Sequence, residues 1–157
     1  MSDQSELALQ PVVACCGESL SSKKRLFERS AELLAAELGL RSQVIYQALL
    51  DREKLGSTAI GEGVAIPHCR VSECTVAAGC LITLQEPLEY GSPDGSKVDI
   101  VFVLLVPEEA TEEHLNLLAG LARSFSHDSV RSGIRRAENP DQARAMLLDG
   151  EIGRAHV

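Results

Sequence analysis

The stretch DIVFVLLV, Asp99 to Val106, decides the fold. After its first residue it is unbroken aliphatic and aromatic side chains. A strand with one wet face would alternate apolar and polar residues, and this one does not. A run of this kind is the mark of a central strand covered on both faces. It falls far short of the ~18 apolar residues that a membrane span needs. Pro107 stops it, because proline has no N–H to donate to a ladder.

Helical patterns lie on either side. Downstream, Thr111 is placed to cap a helix whose first turn carries Glu112 and Glu113, near the positive end of the helix dipole. Its expected buried stripe is Leu115, Leu118, Ala119, Ala122 and Phe125. A shorter helix follows over 128–136. Asn139-Pro140 reads as an N-cap followed by proline at the first helical position, opening a helix that runs to Leu148 and ends at Gly150. Upstream, Leu26, Phe27, Leu33, Leu34 and Leu38 keep helical spacing, with Ser30 and Ala31 filling the stripe, and Gly39 ends that helix. Ser42 is the expected N-cap of a second helix bearing Ile45, Ala48, Leu49 and Arg52, closed by Gly56. GSTAIGEG, Gly56 to Gly63, reads as a donor-rich loop, 64–66 and 77–84 as strands, and Ser92-Pro93-Asp94-Gly95 as a turn. Strands between two groups of helices predict a single α/β domain: a central mixed β-sheet flanked by helices on both faces. Residues 1 to about 20 carry weak periodicity and are expected to be ordered only by docking.

With 157 residues, the chain can bury one sizeable core. Aromatic residues make up 3% and Trp is absent, so that core must be aliphatic. A net charge of -8 without a basic stripe argues against nucleic acid as a partner. Lys23-Lys24-Arg25 reads as a solvated helix start. No basic segment precedes an apolar one at the N-terminus, so neither a signal peptide nor membrane insertion is expected. The 5 cysteines are odd in number, and Cys15 and Cys16 are adjacent, which points to reduced cytoplasmic thiols.

In GVAIPHCR, Gly63 to Arg70, a short apolar run ends at Pro67 and delivers His68 on a stiff stem. A neutral imidazole nitrogen is a nucleophile at neutral pH. Loop N–H groups suit an anion, and Arg52 offers a fork matched to phosphate. His114, in the first turn of a helix, is the second candidate. From composition alone, two ordinary histidines remain the alternative to a phosphohistidine site.

Glu53, six intervening residues, then IGEGVAIPHC, Ile60 to Cys69, resembles the active-site signature of the fructose/mannitol-type IIA domain of the bacterial phosphotransferase system. REKLGSTAIG, Arg52 to Gly61, and FVLLVPEEATEEHLNLLAGLARSF, Phe102 to Phe125, are similar to the same family, most of all to its nitrogen-regulatory branch. The resemblance implies a IIA domain over 21–151, with an N-terminal segment 1–20 and a tail 152–157. It implies that His68 is phosphorylated, at Nε2, by a histidine-containing phosphocarrier protein. Arg52 and His114 would assist, with Ser57 and Thr58 as further phosphoryl-binding residues. It also implies a cytoplasmic relay component without metal or organic cofactor. Its downstream partners would be regulatory proteins or, in the sugar-uptake alternative, a IIB domain. One departure is Ala59, where the family has glycine: a left-handed backbone there would be strained. Cys69 is read as a small spacer.

Other classes are weaker. His68, Cys69, Cys74 and Cys80 lack a paired zinc spacing. Cys69 and His68, adjacent on a strand, point to opposite faces, which disfavours a thiol nucleophile. A binding module with a silent site rests on Ala59 alone. His127 reads as solvated or capping, and His156 as part of a frayed tail.

Overall fold

The computed structural model describes residues 9–109 and 111–155. His156 and the first eight residues lie outside them. The elements in chain order are β1 (Leu9–Glu18), α1 (Lys23–Leu38), α2 (Ser42–Lys54), β2 (Ala59–Gly61), β3 (Val64–Ala65), β4 (His68–Val71), β5 (Ala77–Leu88), β6 (Val98–Pro107), α3 (Glu112–Phe125), α4 (Asp128–Arg135) and α5 (Pro140–Ala155). The strands form one mixed sheet in the order β1-β5-β6-β3-β2, with β4 also on β6. β6 is antiparallel to β5 and parallel to β3 and β4.

β6 is the covered strand that its composition demands. Val101, Val103 and Leu105 face a core shared with Leu26, Phe27, Leu34, Ile45 and Leu49 of α1 and α2. Ile100, Phe102, Leu104 and Val106 face a second core, shared with Leu121, Phe125, Val130, Ile134 and Leu147 of α3, α4 and α5. The period-2 alternation of one apolar strand thus fills both layers. Each fully buried Leu, Ile or Phe contributes roughly 1.5–3 kcal/mol relative to exposure. Gly79 of β5 has no side chain for a reason: a Cβ there would lie 2.3 Å from Cζ of Phe102.

Caps set the helix ends. Ser22 accepts the Arg25 N–H at 3.1 Å to start α1. Gly39, left-handed at φ 72°, ends it with its N–H on the Ala35 carbonyl. Asn139 Oδ1 accepts the Gln142 N–H at 2.9 Å at the head of α5.

Several expectations shift. The segment before α1 is not merely docked, because 9–18 form an edge strand parallel to β5. Ser42 is the first residue of α2, and Arg41 occupies the cap position without a side-chain bond. The helix expected to stop at Gly150 continues to Ala155: an interior glycine weakens a helix by ~1 kcal/mol but does not block it. The stripe of α3 is rotated, with Gly120, Leu121, Ser124 and Phe125 buried while Leu115 is 58% exposed. Lys23 is not simply solvated: its Nζ lies 2.9 Å from Glu53 Oε2 and 4.0 Å from the centre of the Tyr90 ring.

Candidate functional site

The expected loop 56–63 is half hairpin. β2 pairs antiparallel with β3, Gly61 opposite Val64. Glu62 and Gly63, at φ 59° and 80°, make the two-residue turn between them. Ala59 sits in β2 and is absent from the residues of positive φ, so the alanine there carries no left-handed strain. From β3 the chain reaches Pro67, whose carbonyl accepts the Leu104 N–H at 2.8 Å. β4 then begins with His68, held against the middle of β6.

The His68 ring is half-buried, and its Nδ1 lies 2.7 Å from the carbonyl oxygen of Ile66. A carbonyl only accepts, so Nδ1 carries the proton and Nε2 holds the lone pair. Nε2 is therefore the nucleophilic nitrogen of the neutral ring. The tautomer follows from the partner.

His114 is the complement. It is the third residue of α3, and its Nδ1 accepts the Thr111 backbone N–H at 3.0 Å. The imidazole takes the role that Glu or Gln plays in a capping box. With Nδ1 accepting, the neutral ring bears its proton on Nε2 and has a donor there.

The structure brings His68, His114 and Arg52 together. All three line one cleft of about 570 Å³, with Arg70, Leu55 and Leu115 on its walls. Arg52, in the last turn of α2, places Nη1 3.0 Å from the Gly56 carbonyl oxygen. Leu55 is 84% exposed, so an apolar rim flanks the cationic and imidazole groups. Of the α3 residues expected in the core, Leu115 lines this cleft instead, and Leu118 borders the cleft while packing against the second core.

Ser57 and Thr58 are not part of the cleft's lining. The Thr58 hydroxyl is buried, 2.8 Å from Glu53 Oε1 and 2.9 Å from the Tyr90 hydroxyl. Its backbone N–H donates to Glu53 Oε2 at 3.1 Å. Ser57 Oγ accepts the Ala59 N–H at 3.2 Å. Further along, Glu62 N–H goes to Asp94 and Gly63 N–H to Ser96. These donors, expected to greet an anion, instead fasten the loop. For Thr58, which is buried, the reason is the demand for partners on buried polar groups.

That fastening reaches the nucleophile. Glu53 holds Thr58, the Thr58 carbonyl accepts the Ile66 N–H at 3.0 Å, and the Ile66 carbonyl faces His68 Nδ1. Tyr90, buried beside Glu53, has its phenol pushed up chiefly by burial and stays neutral. Sequence reasoning missed Tyr90, Lys23 and Arg70. Arg70 had a usable signal, since it stands two residues after His68 on a strand.

Cys69 packs into the core on the α1 and α2 side, and burial pushes its thiol up to about 12. It is no nucleophile at neutral pH. Among the described residues, no three His, Cys, Asp or Glu side chains gather as a metal site. No helix among them is long and apolar enough to cross a membrane. His127 is exposed at the cap position of α4, without a side-chain cap bond.

Over residues 10–150 the chain matches the family model described as phosphoenolpyruvate-dependent sugar phosphotransferase system, EIIA 2. It is 44% identical over 133 residues to a nitrogen regulatory protein of Pseudomonas aeruginosa, covering 84% of this chain and 86% of that one. The crystal structure of nitrogen regulatory protein IIA-Ntr from Neisseria meningitidis matches with a TM-score of 0.79 and 43% identity, covering 87% of this chain and 91% of that one. The Escherichia coli complex of enzyme IIAMTL with phosphorylated enzyme IIBMTL matches at a TM-score of 0.72 over 87% of this chain and 94% of that one. At 21% identity it shows the fold alone.

Proposed function

Because the chain belongs to the EIIA 2 family of the phosphoenolpyruvate-dependent sugar phosphotransferase system, we propose that it is a phosphohistidine carrier that accepts a phosphoryl group on Nε2 of His68. The donor is a histidine-containing phosphocarrier protein. The observation that carries this reading is the hydrogen bond between His68 Nδ1 and the Ile66 carbonyl, which leaves the Nε2 lone pair for attack in the cleft shared with Arg52 and His114.

The Nε2 lone pair forms a bond to phosphorus as the donor's N–P bond breaks, and that electron pair returns to the donor imidazole. The proton on Nδ1 stays, and the Ile66 carbonyl stabilises the positive charge that builds on the ring. The Arg52 guanidinium and the His114 Nε2–H stabilise the phosphoryl oxygens electrostatically. Little beyond positioning and charge is required, so no metal is invoked.

The same reading places the chain in the nitrogen-regulatory branch, supported by relatives of that name at 44% and 43% identity. Phosphorylation adds to the ring a phosphoryl group of close to two negative charges, set among the exposed Leu55 and Leu115. A partner that docks on that apolar rim in the bare form loses contact in the charged one. In the alternative, the phosphoryl group moves on to a IIB domain, as the complex of IIAMTL with phosphorylated IIBMTL suggests for its own partners.

The test is incubation with phosphoenolpyruvate, Enzyme I and the small phosphocarrier, followed by intact mass measurement. An acid-labile phosphoryl adduct is expected on the wild type and not on His68→Ala. An adduct that persists in His68→Ala, or none on a wild type treated beside a IIA domain that does take phosphate, overturns the proposal.

A further inference from the structure

Given His68 as the phosphoryl acceptor, we propose that Arg70 is a second phosphoryl-holding residue: its guanidinium closes on the oxygens of the group once it sits on His68. Three observations meet there. Along β4, His68 pairs with Leu104 and Arg70 with Val106 of β6, while Cys69 and Val71 turn into the core beneath α1 and α2. His68 and Arg70 thus share a face, their Cα atoms about 6.6 Å apart by strand geometry. Both line the same cleft. An arginine spans that interval, so its head reaches a group built on the neighbouring imidazole.

The third observation is electrostatic. Arg25, Arg29, Arg41, Arg131, Arg135 and Arg144 each pair with a carboxylate. Among the described residues, no carboxylate lies within ion-pair reach of Arg70, on a chain with a net charge of -8. Arg123 and Arg136 also lack one, but both sit at helix C-termini, where the dipole favours a cation. Arg70 is on a strand and has no such reason. Arg52 already directs one nitrogen to the Gly56 carbonyl, whereas among the described residues no hydrogen bond ties the fork of Arg70. An unspent planar fork beside a nucleophile suits a dianionic phosphoryl group, which it can meet with two parallel N–H···O bonds.

The acceptance step gains a charge that forms no bond to phosphorus and gives up no proton. As the N–P bond to His68 Nε2 forms and the donor's N–P bond breaks, Arg70 neutralises oxygens arriving from the donor. It favours the dianion over the monoanion afterwards. Because Arg70 is exposed, its effect is screened by salt and smaller than that of a buried oxyanion donor.

The experiment compares wild type, Arg70→Leu and Arg70→Lys, all phosphorylated through Enzyme I and the phosphocarrier. Two quantities are read: the acceptance rate, and the 31P shift of the phosphohistidine against pH. Arg70→Leu is expected to slow acceptance about ten-fold and to move the midpoint of the 31P titration upward. Arg70→Lys keeps the charge and should recover most of both. A 31P titration unchanged in Arg70→Leu overturns the proposal, even if acceptance slows, because the residue would then contact the donor protein and not the phosphoryl group. Failure of the wild type to accept phosphate would instead count against His68 as the acceptor, so the two readings fail separately.

Discussion

Glu53 is expected to be the costliest polar side chain to remove, because one carboxylate serves four donors. Its Oε2 accepts from Lys23 Nζ at 2.9 Å and from the Thr58 N–H at 3.1 Å. Its Oε1 accepts from the Thr58 hydroxyl at 2.8 Å and the Tyr90 hydroxyl at 3.4 Å. The Glu53 side chain is 8% exposed and that of Lys23 31%. Truncation to alanine strands buried donors at ~1–3 kcal/mol for each one left without water. The ion pair adds less than a fully buried one, because Lys23 keeps partial hydration. The Thr58 hydroxyl can still bond Tyr90. Together these give about 3 kcal/mol for Glu53→Ala. For a domain of this size that lowers Tm by roughly 6–12 °C. Glu53→Gln keeps the shape and one acceptor and should cost ~1 kcal/mol. Urea unfolding of both variants and of Thr58→Val measures the effect, and the double-mutant cycle isolates the Glu53–Thr58 coupling. Acceptance of phosphate should fall with stability held in excess, because the Thr58–Ile66 link that positions His68 is loosened. A Glu53→Ala protein within ~0.5 kcal/mol of wild type, the scatter of an ordinary surface change, would refute the reasoning.

Two further outcomes follow from the titrating groups. The Ser96 hydroxyl first, then the Glu62 N–H and the Ser92 hydroxyl, hold the Asp94 carboxylate well below its ordinary range. A depressed carboxylate contributes stability that is whole above the unfolded pKa, about 3.9, and is lost as pH falls through the lower native value. The stability gap between wild type and Asp94→Asn should therefore narrow in urea titrations taken below about pH 4, and a gap that stays flat into acid sinks the assignment. Burial pushes the thiols of Cys69 and Cys80 up to about 12, so at pH 8 only about one in 10,000 is thiolate. Iodoacetamide should label neither in the native protein and both in urea, and native labelling of Cys69 would show that it is not seated in the core.

Much was legible because it is local. The unbroken apolar run of β6 could only be a strand covered twice, and Ser22, Gly39 and Asn139 carry their capping roles in their own side chains or backbone freedom. The stiff stem of His68 was legible too, since the proline before the imidazole is a local fact, but the strand that His68 opens was not. The rotation of α3 was not. Leu115 has the period of a core stripe, yet it walls the cleft, because the neighbouring β4 and α2 leave that side of the helix open. Nor was the fate of the loop legible: Ser57 and Thr58 are good anion ligands by type, and only packing against Glu53 and Tyr90 consumes their donors.

By itself, the sequence determined the layers of this protein, its central strand and the stiff stem that presents His68, all consequences of hydrophobic period and of the chain's own stereochemistry. Tertiary structure alone decided which nitrogen of each imidazole holds the proton. Nδ1 of His68 must donate to Ile66 and Nδ1 of His114 must accept from Thr111. A ring's tautomer is set by the partner that space brings to it, and a sequence does not state that partner.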